Sequence, residues 1–397
     1  MKPKTTHFDN AAAMIGLLCM GKPDYDAIEP LRGEPFFPMS LGLGATPSSP
    51  TLRQRIEMGA GVFDPIVVEE SARLLRAAGA RISTCHGDLV ALDIDVSPFD
   101  NSRTKKEGSN RTYKGCDGYS PMFAYLGNEG YMINCELREG SQHCQKGTRN
   151  FLRETFPLVR RATGATPLLR ADGGNDDVGN IAECRKAGAH WLIKRNLRRE
   201  APEEWLYTAI TEGRETQPRE GKKVWYGDTW VEAAGFDEPL RVVYKVTKRE
   251  CEARGQMLLL PEAEVEVETW WTSLADEPET IVELYHEHGT SEQFHSEVKS
   301  DMDMERLPSG KFAANALVLR LGMMAYNILR LIGQAGLETG MAPVRKKVSR
   351  RRLRSVIQDL VYMACRVVRH ARRVKLSFGR HNPWYPVWER LYLKFAT

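Results

Sequence analysis

The spacing of apolar and polar positions changes at about residue 86. In the first 85 residues, apolar side chains recur at helical spacing, with Ser49 placed as a helix N-cap and Pro50 at the first helical position. After that point, apolar positions form short and nearly continuous runs, which are typical of buried strands. The pattern therefore predicts a helical N-terminal region followed by a sheet.

Five short apolar runs alternate with two amphipathic stretches up to residue 200. The runs predict strands at DLVALDIDVS, PMFAYLG, GYMINCELR, TPLLRAD and HWLIKR, and the amphipathic stretches predict helices at RNFLRETFPLVRRATGA and DVGNIAECRKAGA. The turn NEG between the second and third runs indicates a hairpin. This order of elements favours a mixed sheet covered by helices, an α/β fold.

Residues 201–278 interrupt that rhythm. Four runs there predict consecutive antiparallel strands, at KKVWYGDTWVEAAG, LRVVYKVTKRE, QMLLLP and EVEVETWWTSL. We therefore expect an all-β insertion in an α/β chain. Helical spacing returns from Thr280 and continues through the C-terminal region. The expected segments are 1–85, 86–200, 201–278, 279–335 and 336–397.

The net charge of +4 conceals a basic segment near the C terminus. Between Arg345 and Arg380 there are thirteen lysines and arginines and one acid, Asp359, so this segment carries +12 and the other residues sum to −8. Such a block favours a polyanionic partner, most often nucleic acid. The alternative is a solvated basic helix face.

Cysteine usage and hydropathy predict a cytoplasmic protein without a membrane partner. The eight cysteines are scattered and form no CxxC pair, which favours core thiols in a reducing compartment. No apolar run approaches the roughly 20 residues of a membrane span. The run AAAMIGLLCM lacks the basic start and the small-residue cleavage site of a signal peptide.

Candidate chemistry concentrates in the stretch YHEHGTSEQFHSEVK. Tyr285, His288, Glu292 and Lys299 are spaced 3, 4 and 7 apart, so on a helix they share one face. The acid suits a metal ion and the lysine suits a phosphate. A zinc site made of the three histidines of this stretch is the alternative, but no cysteine lies near and the HExxH spacing is absent.

Two acids further upstream lie at the ends of predicted strands. Asp95 lies in ALDIDVS, and Asp172 lies in LLRADGGND, where two glycines allow close approach of a substrate. Carboxylates that separate strands deliver to one edge can hold two metal ions for phosphoryl transfer. Asp93 faces the same side as Asp95 and remains the alternative first acid.

These three motifs resemble those of the DDE transposases of bacterial insertion sequences, in the class marked by a Tyr-x2-Arg-x3-Glu-x6-Lys signature. The resemblance runs from about Ser48 to Lys347. It implies that Asp95, Asp172 and Glu292 are both the catalytic acids and the metal ligands, for Mg²⁺ with Mn²⁺ as substitute. The signature arginine is replaced by His288, which lacks the arginine fork.

The resemblance also implies a ribonuclease-H-like catalytic domain, in two parts at 86–200 and 279–335. It further implies double-stranded DNA, at transposon ends and target, as the partner of a homodimer assembled on DNA, in a bacterial, nucleoid-associated protein. Tyr285, His288 and Lys299 would hold the phosphate beside the cut. Further candidates for DNA contact are Lys105, Lys106, Arg111, Lys114, Arg53, Arg55, Arg350, Arg351, Arg352, Arg354, Trp270 and Trp271.

Other readings stay open for several of these residues. The loop lysines and arginines beside Asp95 could simply solvate a loop, and Arg53 and Arg55 could lie on an exposed helix face. Of Trp270 and Trp271, one should be buried and the other could be exposed, where it could stack on a flipped base. Asp176 and Asp177 are expected to interact with a helix N-terminus, and Glu297 is expected to face solvent.

Two functions follow from the sequence. The first is a transposase that nicks DNA at terminal inverted repeats and transfers the freed 3′-hydroxyl. The second is a catalytically weak or domesticated DNA-binding protein on the same scaffold, which His288 and the short chain ahead of Ser48 favour. A nuclease without strand transfer lies between them.

Overall fold

The computed structural model describes residues 5–250, 264–346, 348–370, 373–379 and 381–396. The strands are β1 (Leu89–Val96), β2 (Phe99–Asp100), β3 (Asn110–Arg111), β4 (Asp117–Tyr119), β5 (Met122–Leu126), β6 (Tyr131–Glu136), β7 (Thr166–Ala171), β8 (His190–Arg195), β9 (Arg214–Arg219), β10 (Lys222–Val231), β11 (Leu240–Arg249), β12 (Glu264–Thr272), β13 (Cys365–His370) and β14 (Arg373–Phe378).

Helices surround these strands. They are α1 (His7–Cys19), α2 (Phe36–Ser40), α3 (Ser49–Gly59), α4 (Asp64–Ala77), α5 (Thr148–Ala162), α6 (Val178–Ala187), α7 (Pro202–Glu212), α8 (Pro278–His286), α9 (Ser291–Ser296), α10 (Phe312–Glu338), α11 (Leu353–Val356) and α12 (Tyr385–Phe395). Short 3₁₀ segments lie at Tyr25–Leu31, Gly173–Asn175 and Glu287–Thr290, and π-helical segments lie at Glu297–Asp301 and Ile357–Val361.

One nine-stranded sheet organises the molecule, in the order β6-β5-β1-β7-β8-β12-β11-β10-β9. Strands β1, β7 and β8 are parallel, β5 runs antiparallel to them, and β6, antiparallel to β5, runs in the same direction as β1. The predicted strands and the predicted β5–β6 hairpin are therefore confirmed in this half. Because β1 and β7 are parallel neighbours, their carboxyl ends meet at one edge of the sheet.

The two faces of the sheet differ in chemistry near that edge. On one face, Val90, Leu92 and Ile94 of β1 pack into the main apolar core. The other face of β1 carries Asp93 and Asp95, because alternate strand residues point to opposite sides. The charged face lies under α8, α9 and the 3₁₀ turn between them.

The segment predicted as an all-β insertion extends the same sheet. Strand β12 pairs with β8 in antiparallel fashion, and β11, β10 and β9 follow it outward. The all-β character is not confirmed, because the segment opens with α7. This helix packs through Trp205 and Ala209, which lie four residues apart and share a face. The predicted strand QMLLLP lies outside the described residues.

Helices α1, α3 and α4 confirm the helical pattern predicted ahead of the sheet, and Ser48 rather than Ser49 is the N-cap of α3. Helix α10 packs against α1, α4 and β6. It is long and apolar enough to cross a membrane by length and composition, but 72% of its most apolar window is buried inside the fold. It therefore has the character of a core helix.

The C-terminal region differs from the helical prediction. After α11 and a π-helical turn, the chain forms the hairpin of β13 and β14 before α12 begins. The two β-branched valines of CRVVRH favour a strand over a helix at this point.

Asn327 closes the exposed edge of the sheet at β6. Its Oδ1 accepts from the backbone N–H of Met132 at 2.9 Å, and its Nδ2 donates to the Met132 carbonyl at 2.7 Å and to the Ser71 hydroxyl at 3.0 Å. The side chain thus pairs an edge strand as a neighbouring strand would.

We expect Asn327→Leu to lower the free energy of unfolding by roughly 2–4 kcal/mol, because it leaves buried backbone groups without partners. Denaturant unfolding measures this loss. Gln334→Leu on the same helix is the control: its hydrogen bond to the Ser349 carbonyl, at 3.2 Å, lies at the surface. Equal losses for the two variants would contradict the role assigned to Asn327.

Candidate active site

A cleft of about 690 Å³ opens where β1 and β7 end. All three acids of the predicted triad, Asp95, Asp172 and Glu292, line it. The cleft is also lined by Ser97, Tyr113, Lys114, Tyr285, His288, Ser291, His295, Ser296 and Lys299. The fold thus brings together residues that are almost 200 positions apart in sequence.

The charge of Asp95 perturbs Asp172 across the cleft floor. Burial raises the pKa of Asp172, and the negative charge of Asp95 raises it further. Burial would also raise the pKa of Asp95, but the hydrogen bond from His295 helps to lower it below its ordinary value. Two close carboxylates of which one resists ionisation form a site that favours a cation.

Asp93 does not open onto the cleft. Arg170 grips it with two hydrogen bonds, Nε to Oδ1 at 2.7 Å and Nη2 to Oδ2 at 2.8 Å. His288 Nδ1 lies 3.0 Å from the same Oδ1, and all three side chains are buried. Of the two candidate first acids, Asp95 is the one that faces the cleft.

His288 is therefore held by protein rather than presented to solvent. Burial alone would lower the pKa of His288, but the charge and hydrogen bond of Asp93 raise it above its ordinary value. Its ring also lies against Tyr285, with centroids 5.9 Å apart. The prediction that His288 grips a phosphate remains untested, but much of its hydrogen-bonding capacity is already used.

His295 is a site residue that sequence reasoning missed. Its Nε2 lies 3.1 Å from Asp95 Oδ2, and its Nδ1 lies 3.2 Å from the hydroxyl of Tyr125. Burial raises the pKa of Tyr125 well above its ordinary value, so the hydroxyl keeps its proton and can donate it to Nδ1. Nε2 then carries the hydrogen donated to Asp95. A histidine three residues after Glu292 was the available signal.

Arg170 was also missed. It precedes Asp172 by two residues, as Asp93 precedes Asp95, and Asp93 and Arg170 are direct partners in the parallel register. The matched pairs D-x-D and R-x-D could have indicated an ion pair, but only once the strand register was known.

Glu292 lies on a broken helix rather than on the continuous one that its spacing suggested. Helix α8 ends at His286 and a 3₁₀ turn follows. Glu292 lies in α9, and a π-helical turn begins after α9. The Glu292 side chain is exposed. Across the described ranges, no group of three His, Cys, Asp or Glu side chains lies close enough to hold a metal ion. The three acids line one cleft without closing on a single point.

Tyr285 and Lys299 occupy opposite ends of the motif. The Tyr285 ring packs against Trp270, with centroids 5.6 Å apart. The Lys299 ammonium lies 5.8 Å from the centre of the Phe99 ring. Burial lowers the pKa of Lys299, and the positive charge of Lys114 opposes protonation further, although nearby acids work against both effects.

Glu297, expected to face solvent, is instead buried. It pairs with Arg330 of α10 and accepts from Arg350 Nη1 at 2.9 Å. The backbone N–H of Leu353 also donates to it, at 3.3 Å. The expectation was wrong because the π-helical turn points this side chain at α10 and at the C-terminal segment.

The four C-terminal arginines predicted to contact DNA are engaged within the protein. Arg350 binds Glu297 and also Gln293 Oε1, at 2.8 Å. Arg351 is buried and pairs with Asp359. The other two, Arg352 and Arg354, both pair with the buried Asp301. We call Arg350, Arg352 and Arg354 the arginine strap, because they tie the C-terminal segment to the turn after α9.

The loop and N-terminal cations are placed in different ways. Lys106 is half-buried and donates to Asn101 Oδ1 at 2.9 Å and to the Leu307 carbonyl, so it supports the loop. Lys105 and Lys114 are exposed, and Arg111 is exposed with a 3.8 Å ion pair to Asp117. Arg53 lies over the Tyr25 ring at 5.5 Å, and Arg55 lines an apolar groove between α1 and α4.

Trp270 and Trp271 are both buried, with exposed fractions of 0% and 2%. Trp271 packs into the main core on one face of the sheet, and Trp270 packs on the other face in the cluster that includes α8, so both faces of β12 are covered here. Trp271 Nε1 donates to Asp176 Oδ1 at 2.8 Å. The prediction that one of these rings stacks on a flipped base is wrong.

Trp230, 64% exposed, lies with Trp191 at the opposite end of the strands from Asp95 and Asp172.

Comparison with known proteins gives a family match. A family model described as transposase DDE domain, group 1, matches residues 11–396. No curated protein matches the chain. A piggyBac transposase, solved by cryo-EM in a synaptic complex with hairpin DNA, is similar with a TM-score of 0.41 and 12% identity, over 88% of this chain and 69% of that chain. A likeness at that level carries no argument about function.

The raised pKa of His288 predicts a pH-dependent contribution to stability. Because folding favours the protonated ring, the contribution is complete below about pH 6.5 and is lost as pH rises through the folded-state pKa. His288→Gln should therefore cost more free energy of unfolding at pH 6 than at pH 9. Denaturant unfolding across this range measures the difference, with the exposed His286→Gln as control. The same cost at every pH would contradict the prediction.

The arginine strap makes a second prediction. Arg350→Gln should lower the free energy of unfolding by about 1–3 kcal/mol, because it removes one partner of the buried Glu297. Lys346→Gln removes the same charge from an exposed position in the same segment and should cost under about 0.5 kcal/mol. Thermal and denaturant unfolding compare the two variants. A loss at Lys346 as large as at Arg350 would show that net charge, and not the strap, is responsible.

Proposed function

Because the chain belongs to the DDE transposase domain family, group 1, we propose that it is a transposase that cleaves and joins DNA at the cleft described above. The observation that carries this proposal is the meeting of Asp95 and Asp172 at the ends of parallel neighbouring strands, in a cleft that Glu292 also lines. The two acids interact electrostatically, as ligands of a shared cation would.

We further propose that β6-β5-β1-β7-β8 is a ribonuclease-H-like sheet. What supports the assignment is the strand order, with β5 alone antiparallel to the other four strands β6, β1, β7 and β8. In this reading, the strands β12 to β9 are an insertion that continues the sheet instead of forming a separate unit.

The donor set fits a hard divalent cation. Asp95, Asp172 and Glu292 supply only carboxylate oxygens, which Mg²⁺ and Mn²⁺ prefer. Bound divalent ions would supply activation of the attacking oxygen and stabilisation of the leaving oxygen in phosphoryl transfer. Glu292 is exposed and makes no hydrogen bond or ion pair among the described residues, so its side chain can turn toward the aspartates.

The cleft walls suit a DNA backbone. Lys114 and Lys299 line the cleft and can bind phosphate oxygens. Tyr285 also lines the cleft, and its hydroxyl can donate a hydrogen bond to a further phosphate oxygen. His295 fixes the orientation of the Asp95 carboxylate through its hydrogen bond. Each group acts on position or charge, which is what phosphoryl transfer requires of a protein.

The proposed substrate is double-stranded DNA at the terminal inverted repeats of a mobile element. Hydrolysis would nick one strand at each end, and the freed 3′-hydroxyl would attack a second phosphodiester. Two ends call for two active sites, so we propose a homodimer on DNA.

A catalytically weak DNA-binding protein is the second candidate, and one observation favours it. His288 stands where the resembled signature has arginine. It lines the cleft, but it lacks the arginine fork and is buried with its Nδ1 3.0 Å from Asp93 Oδ1. Metal-dependent cleavage separates the two candidates.

Glu292→Gln should abolish cleavage of a DNA duplex in Mg²⁺ or Mn²⁺ while leaving DNA affinity within about twofold, because it removes one ligand charge with little change in shape. Glu283→Gln is the matched control, since Glu283 is exposed on α8 and does not line the cleft. Gel assays with end-labelled duplex measure nicking. If wild-type protein binds duplex but does not nick it, the weak DNA-binding protein is the correct reading.

A further inference from the structure

The C-terminal hairpin of β13 and β14 is a basic ribbon with one anchored face. Phe378 at its base packs against Trp388 and Tyr385 of α12, with ring centroids 4.5 Å and 5.3 Å apart. Such a contact matters because an isolated two-stranded hairpin is only marginally stable in water. The ribbon is thereby held on the body of the protein while its far end extends outward.

The opposite face of the ribbon is exposed and cationic. Arg366 and Val368 are successive residues on this face of β13. Lys375 of β14 lies opposite Val368 in the antiparallel register. All three side chains are exposed. Arg369 belongs to the other face but is exposed as well, because it lies beyond the anchored end.

The cations of this ribbon lack acidic neighbours in the sequence and side-chain ion pairs among the described residues. The sequence has no acid from residue 360 to residue 388. Within the described ranges, Arg366, Arg369 and Lys375 make no hydrogen bond or ion pair. The strap arginines just upstream are all paired with acids. The same basic block thus divides into a neutralised part and an unneutralised part.

We propose that the exposed basic side chains of the β13–β14 hairpin, Arg366, Arg369 and Lys375, form a second DNA-binding surface, outside the catalytic cleft, that binds the phosphate backbone of double-stranded DNA. The identity of the partner rests on the proposed function. A two-stranded ribbon fits the major groove, and uncompensated lysine and arginine charges bind phosphates without reading sequence. Val368 lies between these cations and is apolar, so little desolvation free energy is lost at this position when the ribbon approaches the duplex.

The test compares two triple variants that lose the same charge. The hairpin variant is Arg366→Gln, Arg369→Gln and Lys375→Gln. The control is Arg76→Gln, Arg81→Gln and Arg199→Gln, three exposed arginines that make no hydrogen bond or ion pair among the described residues and lie elsewhere on the surface.

Affinity for a duplex of arbitrary sequence is measured against salt concentration, and melting curves check folding. The hairpin variant should lose about 2 to 3 units of the slope of log K against log salt, since each lost phosphate contact removes about 0.9. The control triple should keep the wild-type slope. At low salt and saturating protein, cleavage by the hairpin variant should approach that of the wild type, because the cleft is unchanged.

Equal slopes for the two triple variants would overturn the hairpin proposal and leave the proposed function standing. Wild-type protein that binds no duplex would overturn both proposals. Vesicles containing phosphatidylserine test a lipid surface instead. If the hairpin variant loses vesicle binding but not duplex binding, the ribbon is a membrane contact and the proposal is wrong.

Discussion

The ion pair between Asp93 and Arg170 is the contact on which the candidate site depends. It joins the two parallel strands that deliver Asp95 and Asp172, and His288 extends it to the segment that carries the third acid. Removing one partner of such a buried pair leaves an uncompensated charge in the interior, at a cost of about 3–5 kcal/mol. The pair therefore holds the strand that carries Asp95 beside the strand that leads to Asp172, and it also contributes to the stability of the fold.

A second set of buried charges fixes the other wall of the cleft. Glu297 and Asp301 lie in the π-helical turn after α9, and the arginine strap reaches them from the C-terminal segment. Arg330 of α10 reaches Glu297 from the core side. The position of the Glu292 segment is thus set by residues that lie between 33 and 53 positions from their partners in the π-helical turn. The arginines between residues 350 and 354 mainly tie parts of the protein together, whereas the described cations of the hairpin beyond them have no ion-pair partner among the described residues.

Short, nearly continuous apolar runs between turns were sufficient to locate β1, β5, β6, β7 and β8, because such runs are typical of buried strands. Strand ends also placed Asp95 and Asp172 at one edge, since parallel neighbours share an edge wherever they pair. The same local pattern did not separate a helical C-terminal region from a hairpin, nor did it show that β12 would join β8 in one sheet.

The sequence by itself therefore determined the strands β1, β5, β6, β7 and β8, the acids at the strand ends and the DDE transposase family, because these depend on spacing along the chain. The tertiary structure decided which charged side chains form ion pairs inside the protein and which face the cleft or solvent. Asp93 is paired and Asp95 faces the cleft, Glu297 is buried, and Trp270 lies inside the sheet where neither face is open. The physical reason is that burial and ion pairing depend on the partner brought close by the fold, and a charged or aromatic residue has the same local signal whether its partner is protein, water or DNA.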